Sequence, residues 1–241
     1  MCGVTTESGT MLSMVDRSVY VALTIQVVSV MISVVAEFRG SSSSRVLMRA
    51  NRLEIGVQLI EIIAYTLMTP WVFSRLRSRD VKWWRRYKIR YADWILTTPV
   101  MITTTVALIS YYDGDTGRLP WWAYVSNVCM LLSGWMYEGQ TRGTKKRNKW
   151  LKWLVFFVGS SLLITTFTPM WQLADTTASK SLVVLTGVLW LCYGGVFALF
   201  DEPPADDLEH GQDPRKTLGY NILDIISKNV NSLLIAGLIL T

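Results

Sequence analysis

The chain has 241 residues, of which 51% are hydrophobic and only 17% charged, and its eleven tryptophans exceed what a small soluble core needs. That balance excludes a soluble domain and points to an integral membrane protein. The net charge of +6 is concentrated in Arg75–Lys88 and Arg142–Lys152, which flank apolar runs and read as charge facing anionic lipid rather than nucleic acid.

A bilayer-spanning helix needs about 20 mostly apolar residues. The first such run is Ser18–Ala36, bracketed by Arg17 and Glu37. The second, Ile55–Ser74, is broken only by Glu61. Trp94–Tyr112, Leu119–Tyr137, Trp153–Ala174 and Ser181–Phe200 follow free of charge, and Leu218–Thr241 closes the series. The expectation is an all-α fold, a seven-transmembrane helix bundle forming one domain over residues 1–241. Connections are short except for Ser74–Lys88 and the acidic stretch Asp201–Lys216, so no soluble domain is expected. Ser41–Ser44 reads as a flexible loop. The residues before the first run lack a basic start and a cleavage site, so no signal peptide is read. Cys2, Cys129 and Cys192 make no disulfide framework, since two lie within spans. No metal site and no enzymatic step are expected.

The last span carries Asp224 and Lys228 in the stretch LDIISKNVNS. Ionisable groups inside a span cost several kcal/mol unless paired and so mark function by default. Four residues apart, these two share a helix face, which on its own fits either a structural ion pair or a functional site. The third span tips the balance. In IRYADWILTTPVMI, Arg90, Asp93 and Thr97 share one face, and Pro99 removes a helix hydrogen bond that the Thr97 and Thr98 hydroxyls can partly offset. A lysine between two acids has the electrostatic design of a protonated Schiff base with two counter-ions.

RYADWILTTP together with LDIISK resembles the microbial (type 1) rhodopsins, and the seven spans and both motif helices fall in the family's order. The resemblance implies all-trans retinal bound through Lys228, with Asp93 as proton acceptor and counter-ion, Asp224 as the second counter-ion, and Arg90 beside them. It implies a pocket in which Trp94 and Trp190 sandwich the polyene, Tyr65 and Tyr193 bond Asp224, and Thr97 and Thr98 lie near. Asn127, Met130 and Gly134 of the fourth span match positions beside the retinal ring. Ser227 puts a hydroxyl near the Schiff base and favours a shorter absorption wavelength than alanine. Position 194 is glycine where the family often has proline.

Activity must be read from departures, because the family includes pumps, channels and sensors. Outward proton pumps usually carry a carboxylate eleven residues after the acceptor; here that position is Thr104. Glu54, one helix over at similar depth, is the substitute that keeps a pump reading open. Channel-type members place a glutamate in the second span, a serine in the first and an asparagine after the retinal lysine. This chain has Glu61, Ser29 and Asn229, whose oxygens can replace part of a cation's hydration shell. Viral rhodopsins of the light-gated cation channel group are the most similar in this respect. The cysteine that some channels pair with an aspartate to slow closing is absent; Thr98 and Asn127 stand there and can still hydrogen-bond. A light-gated cation channel is therefore the leading expectation, with a light-driven proton pump and a non-transporting sensor as alternatives.

Family orientation puts the amino terminus outside and the loops after spans two and four with it. Those loops hold Arg75, Arg77, Arg79, Lys82, Arg85, Arg86 and Lys88, then Arg142, Lys145, Lys146, Arg147, Lys149 and Lys152, so the positive-inside rule would invert the chain. Heliorhodopsins have that inverted orientation, and CMLLSGWMYEG is similar to their fourth helix. They usually lack the RYADW and TTP combination and the aspartate four before the lysine, which keeps the ordinary orientation in front. Expected partners are membrane lipid, the transported cations or protons, and further copies of the chain in a homo-oligomer, in the plasma or another cellular membrane.

Overall fold

The computed structural model describes residues 4–40, 44–69, 72, 86–114, 118–140, 149–200 and 214–241. Cys2, most of the Ser41–Ser44 patch, the arginines and lysines at 75–85 and 142–147, and the stretch 201–213 lie outside the described residues. Seven helices form the described chain: α1 (Val4–Arg39), α2 (Arg45–Met68), α3 (Arg86–Asp113), α4 (Trp121–Gln140), α5 (Lys149–Leu173), α6 (Thr177–Leu199) and α7 (Pro214–Leu240). The all-α seven-helix bundle is the one the apolar runs predict.

Most helix starts differ for one physical reason: a charge ends an apolar run but not a helix. α1 begins well before Ser18. α2 spans Arg45–Met68 instead of Ile55–Ser74, and takes in Arg45, Arg49, Arg52 and Glu54. α7 starts at Pro214, so Lys216 belongs to a helix and is buried, not part of an acidic loop. Pro214 suits that place, because the first helical position has no hydrogen bond to lose. Lys149 and Lys152 likewise lie in α5, and Lys152 is buried rather than facing lipid headgroups. Five helices (α1, α3, α5, α6 and α7) are long and apolar enough to cross a membrane.

The helices pack in a ring in chain order, closed by α1 against α7, while α2 also packs on α7 and α3 reaches both α6 and α7. α3 is thus the central helix, as the burial of Arg90, Asp93, Thr97, Thr104 and Thr105 along it requires. Apolar clusters close the two ends. Ala36, Leu47, Leu108, Leu182 and Ile235 pack at one end; Val19, Tyr65, Met68 and Ile89 pack at the other, beside Tyr91, Trp94, Leu131 and Tyr220. Between them lies a layer of buried polar side chains centred on Lys228.

Local signals fix the helix ends. Ser44 caps α2, its hydroxyl accepting from the Val46 amide at 3.3 Å. Thr176 caps α6 by accepting from the Ser179 amide at 3.2 Å. Asp113 at the end of α3 accepts from the Asp175 and Thr176 amides at 2.8 and 3.2 Å, which ties α3 to the α5–α6 turn. Gly114 follows with φ of 80°, a left-handed conformation that glycine adopts without strain. Pro99 leaves α3 continuous; Thr97 Oγ1 donates to the Asp93 carbonyl at 2.8 Å and Thr103 Oγ1 to that of Pro99 at 2.9 Å. Thr98 does not join in this compensation, because its hydroxyl goes to another helix. Gly194 sits in an unbroken α6. Cys129 and Cys192 are free thiols on exposed helix faces.

Candidate functional site

Lys228 Nζ lies 2.5 Å from Asp93 Oδ2 and 3.1 Å from Glu61 Oε1, with all three side chains buried. The lysine is therefore held between α3 and α2. Asp224, four residues before it, does not make the intrahelical contact that the spacing allows. Its carboxylate instead accepts from Tyr65 Oη at 2.9 Å, Trp94 Nε1 at 2.9 Å and Tyr193 Oη at 2.8 Å, with Arg90 Nε at 3.8 Å. Arg90 also donates to Asn221 Oδ1 at 2.5 Å. Three carboxylates thus face two cations in a space closed to solvent. Bare ion pairs of this kind cost more in desolvation than they return unless hydrogen bonds finish the job; here three ring donors hold Asp224. The Tyr65 and Tyr193 bonds to Asp224 are those expected from the sequence. Glu61, expected at a gate, contacts the lysine directly.

A cavity opens at Lys228 and is lined by Trp94, Thr98, Met101, Met130, Trp190 and Ser227 among others. It shares Trp94, Met130, Leu131, Trp190 and Tyr193 with a second cavity that is also lined by Gly134, Phe156 and Phe197. The two indoles are walls of both. Tyr193 stands edge-on to Trp94, with ring centroids 5.2 Å apart, and its hydroxyl is 2.8 Å from Ser227 Oγ. Asn127 lines neither cavity; it is buried and accepts from Thr98 Oγ1 at 2.6 Å, the Thr–Asn bond that the sequence allows. Gly134 is required by its neighbour, since a Cβ there would stand 2.7 Å from the Tyr91 hydroxyl and 3.3 Å from Tyr91 Cε1. Tyr91 is buried and its hydroxyl donates to Glu138, so it has little room to yield. Gly134→Val is expected to cost about 1–3 kcal/mol, read as a lower thermal midpoint; an unchanged midpoint contradicts the packing argument.

On the other side of Lys228, polar side chains continue along the seam of α1, α2 and α7. Ser29 Oγ donates to Asn229 Oδ1. Gln58 Nε2 donates to the Lys228 carbonyl at 3.2 Å, Ser33 and Ser232 hydroxyls are 3.0 Å apart, and Asn51 Nδ2 donates to the Ser33 carbonyl at 2.9 Å. Glu54 accepts from Thr104 Oγ1 at 2.5 Å, so the acid read as a substitute and the threonine at the usual donor position do meet. Glu61 is not joined to the Ser29–Asn229 pair by any hydrogen bond found here. Several buried atoms of this seam have no hydrogen-bond partner, among them both amide atoms of Gln26, Asn51 Oδ1, Gln58 Oε1, Glu54 Oε2 and Glu61 Oε2. Gln26, Ser33, Asn51, Gln58 and Asn221 escape a reading of the sequence because neutral polar residues do not interrupt an apolar run. Their helical spacing was the available signal: Gln26, Ser29 and Ser33, like Asn51, Glu54, Gln58 and Glu61, recur every three or four residues.

Among solved structures, the fold is similar to xanthorhodopsin, described as a light-driven ion pump with dual chromophore (TM-score 0.69, 16% identity, covering 96% of this chain and 94% of that one). It is also similar to bromide-bound halorhodopsin from Halobacterium salinarum (TM-score 0.66, 16% identity, 96% and 95% covered). A third is the proton pumping rhodopsin AR2 from the marine alga Acetabularia acetabulum (TM-score 0.65, 17% identity, 93% and 94% covered). No curated protein matches the chain in sequence. The model of the family described as bacteriorhodopsin-like protein matches residues 16–241, which takes in α2 to α7 whole, most of α1 and all of the Lys228 cluster: the chain is a member of the bacteriorhodopsin-like, or microbial rhodopsin, family.

Proposed function

We propose that this protein is a retinal-binding, light-activated ion transporter of one domain over residues 1–241, and specifically a light-gated cation channel of the kind found among viral rhodopsins. Microbial rhodopsins bind retinal, and the residues present fit that group. A buried primary amine stands at one end of a long apolar cavity, two indoles line it, and carboxylates lie within contact of the amine. When bound through Lys228, all-trans retinal supplies light absorption and a change of shape. The chain's own groups do the rest: Asp93 and Glu61 neutralise the Lys228 nitrogen, Asp224 with Arg90 supports them from the next turn, and Trp94 and Trp190 restrict motion between them. Thr98, Met130, Gly134, Tyr193 and Ser227 complete the pocket, while Tyr65 and Thr97 line neither cavity and bond Asp224 and the Asp93 carbonyl instead.

The observation that carries the channel reading is the buried polar seam on α1, α2 and α7, which runs from Asn51 and Ser33 past Ser29–Asn229 to Glu61 and Lys228. Buried polar atoms without partners are where water or ions bind, and carboxylate, amide and hydroxyl oxygens along such a seam suit a cation. Movement at Lys228 acts directly on Glu61, so the same carboxylate both senses the pocket and lines the path. A proton pump is the second reading, favoured by the Glu54–Thr104 contact, which puts an acid where the attachment lysine could be reloaded with a proton. Lipid and further copies of this chain are the proposed partners, in the plasma or another cellular membrane. Photocurrents of the wild type under voltage clamp test the choice. A channel current is expected to reverse with imposed sodium or proton gradients; a current of one sign under every gradient supports the pump, and no current at all a sensor.

A further inference from the structure

A second buried charge pair lies away from Lys228. Lys216 Nζ, in the first turn of α7, is 2.8 Å from Glu138 Oε1, in the last turn of α4, and both side chains are buried. Tyr91 Oη donates to the same Glu138 oxygen at 3.3 Å. The Lys216 ammonium sits 5.1 Å from the Phe197 ring centroid and 5.9 Å from that of Tyr220. A buried pair is weak evidence for stability, because apolar side chains of similar volume often do as well. Its position is more informative. Tyr91, Phe197 and Tyr220, the three rings touching the pair, all line the second cavity, which shares five residues with the one at Lys228. A long ligand attached at Lys228 that fills both cavities would pass this wall. Lys228 with its acids thus stands at the first cavity, and Glu138 and Lys216 stand behind the Tyr91, Phe197 and Tyr220 part of the second cavity's wall.

We propose that the Glu138–Lys216 pair is a colour-tuning site, which sets the potential at the far end of the chromophore pocket by holding one positive and one negative charge behind the Tyr91, Phe197 and Tyr220 wall. The proposal rests on retinal attachment at Lys228 and is independent of the choice between channel and pump. A cationic polyene carries its charge near the attached nitrogen in the dark and moves part of it toward the far end on excitation. Net positive charge at that end opposes the movement and raises the transition energy; net negative charge lowers it. By Coulomb's law at a protein-like dielectric, one uncompensated charge there gives a shift on the order of 10 nm.

The test uses the full chain loaded with retinal, as wild type, Glu138→Gln, Lys216→Met, the double variant and Lys216→Arg. Spectra are recorded from acid to alkaline conditions, so that the group left alone is read in its charged form. Glu138→Gln is expected to absorb at shorter wavelength than wild type and Lys216→Met at longer, each by roughly 10 nm. The double variant returns close to wild type, and Lys216→Arg, which keeps the charge, stays there. Superimposable spectra of the single variants, or shifts of the same sign, overturn the proposal. Single variants that bind no retinal assign the pair a purely structural role and overturn it equally. A wild type that never colours refutes attachment at Lys228, and this inference with it, and is told apart from the other failures by the absence of any pigment.

Discussion

Lys228→Ala is expected to abolish visible absorption on addition of retinal, a complete loss, because the ε-amine of this residue is the only one placed at the mouth of the indole-lined cavity among the described residues. The substitution also strips the cation from Asp93 and Glu61, at 2.5 and 3.1 Å. Breaking a buried pair costs about 3–5 kcal/mol, so the variant should accumulate poorly as well as lack colour. Lys228→Arg separates the two effects. It keeps a positive charge against the acids but offers no primary amine, and should be better folded than the alanine variant yet equally colourless. Colour at the wild-type wavelength in either variant would move the attachment site to another lysine.

Glu61→Gln has the second largest expected effect, and its consequence is double. Glutamine keeps the size and much of the hydrogen bonding of glutamate but removes a charge 3.1 Å from Lys228 Nζ. At an effective dielectric near 20, such a contact is worth about 4–5 kcal/mol before desolvation is counted. With less negative charge at the attached end, absorption shifts to longer wavelength. In a channel the same change weakens the preference for cations over anions and alters proton permeability relative to sodium, seen as a displaced reversal potential. Spectrum and selectivity should therefore move together in one variant. A red shift with no reversal potential in either protein would leave Glu61 a counter-ion of a pump, and an unshifted spectrum would contradict the contact itself.

Much of the fold and the centre of the site could be read before any coordinates. Seven apolar runs gave seven helices, because apolar side chains need no partner in lipid while the backbone must satisfy its own hydrogen bonds there. The Lys228, Asp93, Asp224, Tyr65 and Tyr193 group was legible because family motifs and i, i+4 spacing place them on facing helices. What a sequence does not carry is rotation about each helix axis. Asp224 and Lys228 share a face, yet one turns to Tyr65, Trp94 and Tyr193 and the other to Asp93 and Glu61. The Ser29–Asn229 bond joins residues 200 positions apart, and neither residue alone differs from any polar group in a span. Lys216 and Glu138 were hidden for a third reason: near the ends of apolar runs, charge resembles interfacial charge, and only the packing of α4 and α7 shows that both are buried.

The composition of α2 bears on how the chain enters the bilayer at all. Arg45, Arg49, Arg52, Glu54 and Glu61 lie within it, and a charged side chain at the centre of an inserting helix costs about 2.5–3.5 kcal/mol. The helix is not among those apolar enough to cross a membrane unaided. Its solvation is supplied by neighbours: Arg52 Nε meets Glu37 Oε1 at 2.6 Å and Asn51 bonds the Ser33 carbonyl, both partners being on α1, while Glu61 meets Lys228 of the last helix. During synthesis α1 emerges before α2 and can present those partners as a hairpin, whereas Lys228 arrives only with α7. Insertion of α2 is therefore a cooperative act with α1, completed only when α7 joins them, and the polar seam that would serve transport is the same feature that ties biogenesis of the early helices to α7.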